Sequence, residues 1–201
     1  MIKRLLDILL SLFLLIIFAP LMIILALVIL TKMGSPVIFR QLRPGFRGKP
    51  FHLYKFRTMT EAVDSEVKIS DDQQRLTATG RWIRKYSLDE LPQLINVLKG
   101  ELSFVGPRPL LMAYLDRYTS EQARRHDVKP GITGWAQVNG RNALNWEEKF
   151  AMDVWYVDNQ SLWLDLKIMV LTLLKVLKAE GISQNGSATM PEFMGSKNDR
   201  E

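Results

Sequence analysis

The sequence predicts an α+β fold, mainly helical, in which an apolar N-terminal membrane segment precedes a small domain of short strands and amphipathic helices. Three observations carry this. Ile8 to Leu30 is apolar except for interruptions at Ser11 and Pro20. Two short strand-like runs flank the turn-rich Arg43-Pro44-Gly45-Phe46-Arg47-Gly48-Lys49-Pro50. Beyond them, helix N-cap signals recur ahead of apolar periodicity.

At 201 residues the chain fits one modest domain with attachments. Lys and Arg outnumber Asp and Glu by 27 to 21, a formal charge of +6. That balance attracts anionic lipid, nucleotide or nucleic acid without choosing among them. The absence of cysteine excludes disulfides, thiolate metal sites and cysteine nucleophiles, and agrees with a cytoplasmic domain.

As one straight helix, Ile8 to Leu30 would cover roughly 34 Å, enough to cross a bilayer. Lys3-Arg4 gives a basic start, but the apolar run is too long for a signal peptide and no small-x-small cleavage site comes after it. Pro20 removes a backbone donor and crowds the carbonyl of Ile16, which predicts a kink or break that leaves each half too short to span. Cations flank both ends: Lys3 and Arg4 before the segment, Lys32, Arg40, Arg43, Arg47 and Lys49 after it. This symmetry suits a re-entrant hairpin, whereas the tolerance of transmembrane helices for proline keeps a simple span open.

Strands are expected at Val37 to Arg40 and Phe51 to Phe56. The polar stretch Glu61 to Gln74 reads as a surface helix or loop. Gly80 to Tyr86 is a short helix, and Leu91 to Leu98 a firmer one stopped by Gly100. Thr119 with Gln122, and Asn145 with Glu148, match capping boxes, which predicts helices from Ser120 to about Asp127 and from Trp146 to about Val157. Ser161 caps a last helix, Leu162 to about Ala179, whose wide apolar face with Trp163, Lys167, Lys175 and Lys178 fits either a membrane surface or an ordinary core. Beyond Gly181 the tail is poor in apolar residues and is expected to be mobile.

Chemistry concentrates at Ser87-Leu88-Asp89-Glu90-Leu91-Pro92-Gln93-Leu94. Ser87 and Glu90 have capping-box spacing, and a positive helix end would hold Asp89 and Glu90 ionised and favour a nearby phosphate. Acids in a first turn more often only stabilise the helix, so the dipeptide alone is ambiguous. Gly106-Pro107-Arg108-Pro109 is a rigid turn that presents a guanidinium, as phosphate recognition requires. Lys55-Phe56-Arg57 and Arg84-Lys85 add cations, and Pro130-Gly131-Ile132-Thr133-Gly134-Trp135 and Asn139-Gly140-Arg141-Asn142 read as special loops.

Over nearly its whole length the sequence resembles the bacterial sugar transferases, specifically the small monotopic phosphoglycosyl transferases that start glycoconjugate assembly on a polyprenyl phosphate. The proline-broken apolar segment, Lys55-Phe56-Arg57-Thr58-Met59, Ser87 to Gln93, Gly106 to Pro109 and Pro130 to Arg141 carry the likeness in order. The resemblance implies a re-entrant membrane hairpin over residues 1–33, a cytoplasmic catalytic domain over 34–182 with interfacial helices, and a flexible tail over 183–201. It implies that Asp89 attacks the sugar-linked phosphate of a nucleoside (uridine) diphosphate sugar. The aspartyl phosphosugar so formed would pass to polyprenyl (undecaprenyl) phosphate at the cytoplasmic face of a bacterial inner membrane. Glu90 would hold Mg2+ or orient Asp89, and Arg108, Lys55, Arg84, Arg141 and Asp153 would complete the substrate site. Ala19 departs from the serine common before this proline, so bending must rely on proline geometry and neighbouring packing. A second copy of the chain or downstream glycosyltransferases are further candidate partners.

A non-catalytic membrane scaffold binding anionic lipid or a partner enzyme is the competing reading. Under it, Asp89→Asn leaves membrane and partner binding intact and no nucleotide sugar is consumed. A nucleic-acid binder ranks last, because the chain has no clear basic recognition helix or aromatic-rich binding motif.

Overall fold

The computed structural model describes residues 1–60, 75–140, 144–178 and 192–196. Helix α1, Ile2–Met33, runs through Pro20 as one element, so the predicted break is not an interruption of helix. Proline deletes one donor, while the Leu, Ile and Met residues on both sides favour helix, the conformation that best satisfies backbone groups in apolar surroundings. Ser11 donates its hydroxyl to the carbonyl of Asp7 at 2.7 Å, whereas Ala19 beside the proline has no such group. Phe13, Ile16, Ile17, Ile23 and Ile24 in the middle of the helix are exposed.

Both ends of α1 dock on the domain. At the start, Lys3 reaches Asp165 Oδ2 at 2.5 Å and the Tyr156 hydroxyl at 3.0 Å, and Arg4 donates to the carbonyls of Val97 (2.5 Å) and Leu98 (2.8 Å). Asp7 accepts from the Ser103 hydroxyl (3.1 Å) and the Phe104 amide (3.2 Å). At the far end, Leu25 and Ile29 are buried against Phe56 and Ile83, and the Arg57 guanidinium donates to the orphan carbonyl of Met33 and to those of Gly34 and Ser35 just past the helix.

Strands β1 (Ile38–Pro44) and β2 (Pro50–Phe56) form an antiparallel hairpin, in register from Ile38↔Phe56 to Pro44↔Pro50. The buried Asn96 amide ties its edge down, accepting from the Tyr54 amide at 3.1 Å and donating to the His52 carbonyl at 2.7 Å. Helix α2 (Ala78–Lys85) starts at Thr77, whose hydroxyl accepts from the Gly80 amide. A Cβ on Gly80 would fall 1.9 Å from the Thr58 carbonyl oxygen; only glycine lets α2 lie this close to the chain leaving β2.

A 3-10 turn, Leu88–Glu90, leads to α3 (Gln93–Lys99), which ends at left-handed Gly100. Short strands β3 (Ser103–Val105) and β4 (Gly131–Thr133) pair in parallel. The chain segments here press backbone to backbone: a Cβ on Gly131 would lie 2.1 Å from the Gly106 amide nitrogen. The Pro130 to Trp135 stretch, read as a loop, is therefore strand β4 and then helix α5 (Trp135–Asn139).

Both predicted capping boxes form, at Thr119 before α4 (Ser120–Ala123) and at Asn145 before α6 (Trp146–Asp158). The α4 turn continues as 3-10 helix through His126. Helix α7 (Leu162–Lys178) buries Leu164, Asp165 and Ile168 and leaves Trp163, Leu166, Val170, Leu173 and Leu174 exposed, so it has a core face and a second apolar face without protein cover among the described residues. The tail is not wholly free as expected. Phe193 is 3% exposed, packed among Tyr114, Tyr118, Trp146 and Phe150, with its amide donating to the Tyr114 hydroxyl. The stretch Glu61 to Gln74 and Arg141 lie outside the described residues.

Candidate active site

Ser87 enters the 3-10 turn in the left-handed region (φ 55°) and its side chain makes no capping bond, so the capping box expected at Ser87 and Glu90 does not form. The Glu90 carboxylate turns instead to two cations. Its Oε1 accepts from Lys55 Nζ and from Arg108, each at 2.6 Å. Lys55 comes from β2 and also stands 3.7 Å from Asp89 Oδ2. Three segments far apart in sequence thus converge on one carboxylate pair.

The two carboxyls differ electrostatically. Burial opposes ionisation of Glu90, yet Arg108 and Lys55 overcome it and hold the group well below the usual carboxylate range. Asp89, 8% exposed, is pushed above that range by burial and by the Glu90 charge, with Lys55, Arg84 and Arg108 pulling back. The element carrying them is only a 3-10 turn; burial and the Glu90 charge dominate at Asp89, and the neighbouring cations dominate at Glu90. Arg108 is held above its ordinary value chiefly by Glu90, and its side chain stays 41% exposed.

Arg84 lies within electrostatic reach of Asp89 and donates Nε to the Thr58 hydroxyl at 2.9 Å, so Gly80 indirectly sets its position. Asp153 is 5% exposed and faces Arg125, accepting from Nε at 3.0 Å and the terminal nitrogen at 2.6 Å. Arg125 in turn donates to the Arg108 carbonyl at 2.8 Å and the Tyr118 hydroxyl at 3.2 Å. Asp153 therefore sits behind Arg108 rather than beside Asp89. Sequence reasoning missed Arg125, which belongs to no spacing pattern, and gave Thr58 no role although it stands in the Lys55 to Met59 motif, because their partners are distant in the chain.

No group of three or more His, Cys, Asp or Glu side chains able to hold a metal occurs among the described residues. A divalent ion here would have Asp89 and Glu90 as protein ligands, a donor set that suits a hard cation completed by phosphate oxygens and water.

A long apolar helix with an exposed middle thus precedes a domain in which a carboxylate pair gathers Lys55, Arg84 and Arg108. The chain belongs to the bacterial sugar transferase family, whose sequence model matches residues 1–179. It is 61% identical over 194 residues to EpsL of Bacillus subtilis, named as an uncharacterized sugar transferase, covering 96% of each chain. It is 43% identical over 183 residues to a UDP-glucose:undecaprenyl-phosphate glucose-1-phosphate transferase of Klebsiella pneumoniae, covering 86% of this chain and 39% of the relative. An undecaprenyl-phosphate galactose phosphotransferase of Salmonella typhimurium is 42% identical over 196 residues, covering 89% and 41%. The chain thus spans about two fifths of these last two proteins.

Proposed function

We propose that this chain transfers a phosphosugar from a nucleoside diphosphate sugar, with uridine as the nucleoside, to undecaprenyl phosphate, starting glycoconjugate assembly. The observation that carries the reading is the division of labour in the Asp89-Glu90 pair. Glu90 is neutralised by Lys55 and Arg108, while the closest ion-pair approach to Asp89 among the described residues is that of Lys55 at 3.7 Å, which leaves its carboxylate open to act as a nucleophile.

In the first step an Asp89 carboxylate oxygen bonds to the sugar-bearing phosphorus. The bridging P–O bond of the diphosphate breaks and nucleoside monophosphate leaves. In the second, an oxygen of the lipid phosphate attacks the same phosphorus, Asp89 departs as carboxylate, and a polyprenyl diphosphate sugar forms. Splitting the exchange in two lets one site serve a soluble donor and a membrane acceptor in turn. Lys55 and Arg108 neutralise phosphate oxygens and Glu90 fixes both cations. Mg2+ held by Glu90 and Asp89 would supply further charge neutralisation on the diphosphate.

The docking of both ends of α1 on one domain supports a re-entrant helix that enters and leaves the cytoplasmic leaflet of the bacterial inner membrane. A crossing helix would carry Lys3 and Arg4 away from the carbonyls and carboxylate they bind. Single cysteines at the exposed Ile2 and Lys32 should be labelled from the same side of sealed vesicles; labelling from opposite sides would overturn the hairpin. For the reaction itself, a panel of nucleotide sugars with undecaprenyl phosphate and Mg2+ should yield nucleoside monophosphate from at least one donor, dependent on metal. Consumption of none, with membrane binding intact, would return the chain to the scaffold reading.

A further inference from the structure

At the end of β1, Arg43 is half-buried, and its guanidinium donates through Nε (3.1 Å) and a terminal nitrogen (2.5 Å) to one oxygen, Gln41 Oε1. No carboxylate pairs with it among the described residues. A cation removed from water against a neutral amide alone is costly, and structural arginines usually resolve that cost with an acidic partner. Gln41 and Arg43 point to the same face of the strand, as i and i+2 residues do, so the amide fixes the fork and leaves the other terminal nitrogen without a protein bond among the described residues.

The surroundings raise the cost. β1 packs against the 3-10 segment Met112–Arg117; among the ionisable groups acting on Arg43, Arg108 opposes its charge, while Tyr114 and Tyr118 offset part of that. His126, pulled down to about 4 by burial and by Arg125 and so neutral at pH 7, sits in the 3-10 segment that packs against the turn after β1. Arg43, oriented by Gln41, thus lies within electrostatic reach of a second guanidinium, that of Arg108, whose own bond goes to Glu90. Burial first, then the Arg108 charge, pull Arg43 down to about 10, which leaves it cationic at neutral pH and in deficit of negative charge.

We infer that Arg43, oriented by Gln41, forms with Arg108 a subsite for a phosphate oxyanion of the reactants. The inference rests on the phosphosugar-transfer reading and adds a residue to its binding machinery. Either the diphosphate of the donor or the phosphate of the lipid acceptor supplies the required chemistry, and a planar fork with free N–H donors suits both.

The test uses the full chain in lipid nanodiscs, with Arg43→Gln and Arg43→Lys. Arg43→Gln should weaken binding of inorganic pyrophosphate about 10–100-fold, the loss of one charge-assisted contact, with little change in melting temperature; Arg43→Lys should recover part of it. In turnover, a raised KM for nucleotide sugar alone assigns the subsite to the donor, and a raised KM for undecaprenyl phosphate alone assigns it to the acceptor. Unchanged pyrophosphate affinity, or a loss that tracks a fall in melting temperature and is not recovered by lysine, overturns the subsite. If wild type binds pyrophosphate through Arg43 yet consumes no nucleotide sugar, the transfer reading fails while the anion subsite stands.

Discussion

Asp89→Asn should abolish the covalent adduct and cut turnover by about 10^4-fold or more, the scale of losing a nucleophile, while melting at or above the wild-type temperature. The two halves have one cause. Ionised Asp89 is disfavoured by burial and by Glu90, so its charge costs the folded state stability at neutral pH. Amidation removes that cost together with the reactivity. Because its carboxyl titrates above the ordinary aspartate range and must be ionised to attack, adduct formation should decline with acidification from a pH above that ordinary range. Over the same window the folded state loses nothing from Asp89, since protonation relieves it.

Glu90→Gln should behave oppositely. Its pKa is depressed, so its contribution to stability is complete above the unfolded glutamate value and is lost as pH falls through the depressed one. The amide would strand Lys55 and Arg108, at a cost of about 1–3 kcal/mol. Intact-mass analysis of donor-treated protein without lipid acceptor, beside thermal melts of both variants, checks the pair. Retained adduct in Asp89→Asn, or a lower melting temperature than Glu90→Gln, would refute this division of roles between the two carboxylates.

The features legible in the sequence are the local ones. Thr119 with Gln122 and Asn145 with Glu148 announce their helices because a capping box is complete within four residues. The same pattern misleads at Ser87, where Glu90 finds stronger partners in Lys55 and Arg108 than in a backbone amide; a charge-assisted bond outweighs a cap. Strands β3 and β4 are hidden because three residues each are too short to show alternation, and their glycines serve close approach between segments. Phe193 passes for part of a loose tail because its partners, Tyr114 and Phe150, lie far back in the chain. Asp89, Glu90, Lys55, Arg84 and Arg108 are visible as residue types in motifs. The Arg125-Asp153 pair behind Arg108 leaves no local trace.

Asp153→Ala should be among the most destabilising single changes in the domain, about 3–5 kcal/mol. The Asp153 and Arg125 side chains are 7% and 2% exposed, so deleting the carboxylate leaves a guanidinium without counter-charge in a place water does not reach. A loss of this size in a chain of 201 residues lowers the melting temperature by roughly 10 °C. Function should fall by a separate route, because Arg125 also holds the Arg108 carbonyl and Arg108 holds Glu90. The double variant Arg125→Met with Asp153→Leu replaces the pair by apolar groups of similar size, and should recover most of the melting temperature while turnover stays low. Such a split marks Asp153 as a positioning residue acting through Arg125 on Arg108. An Asp153→Ala protein that melts like wild type but shows a raised KM for nucleotide sugar would place this carboxylate against the substrate instead.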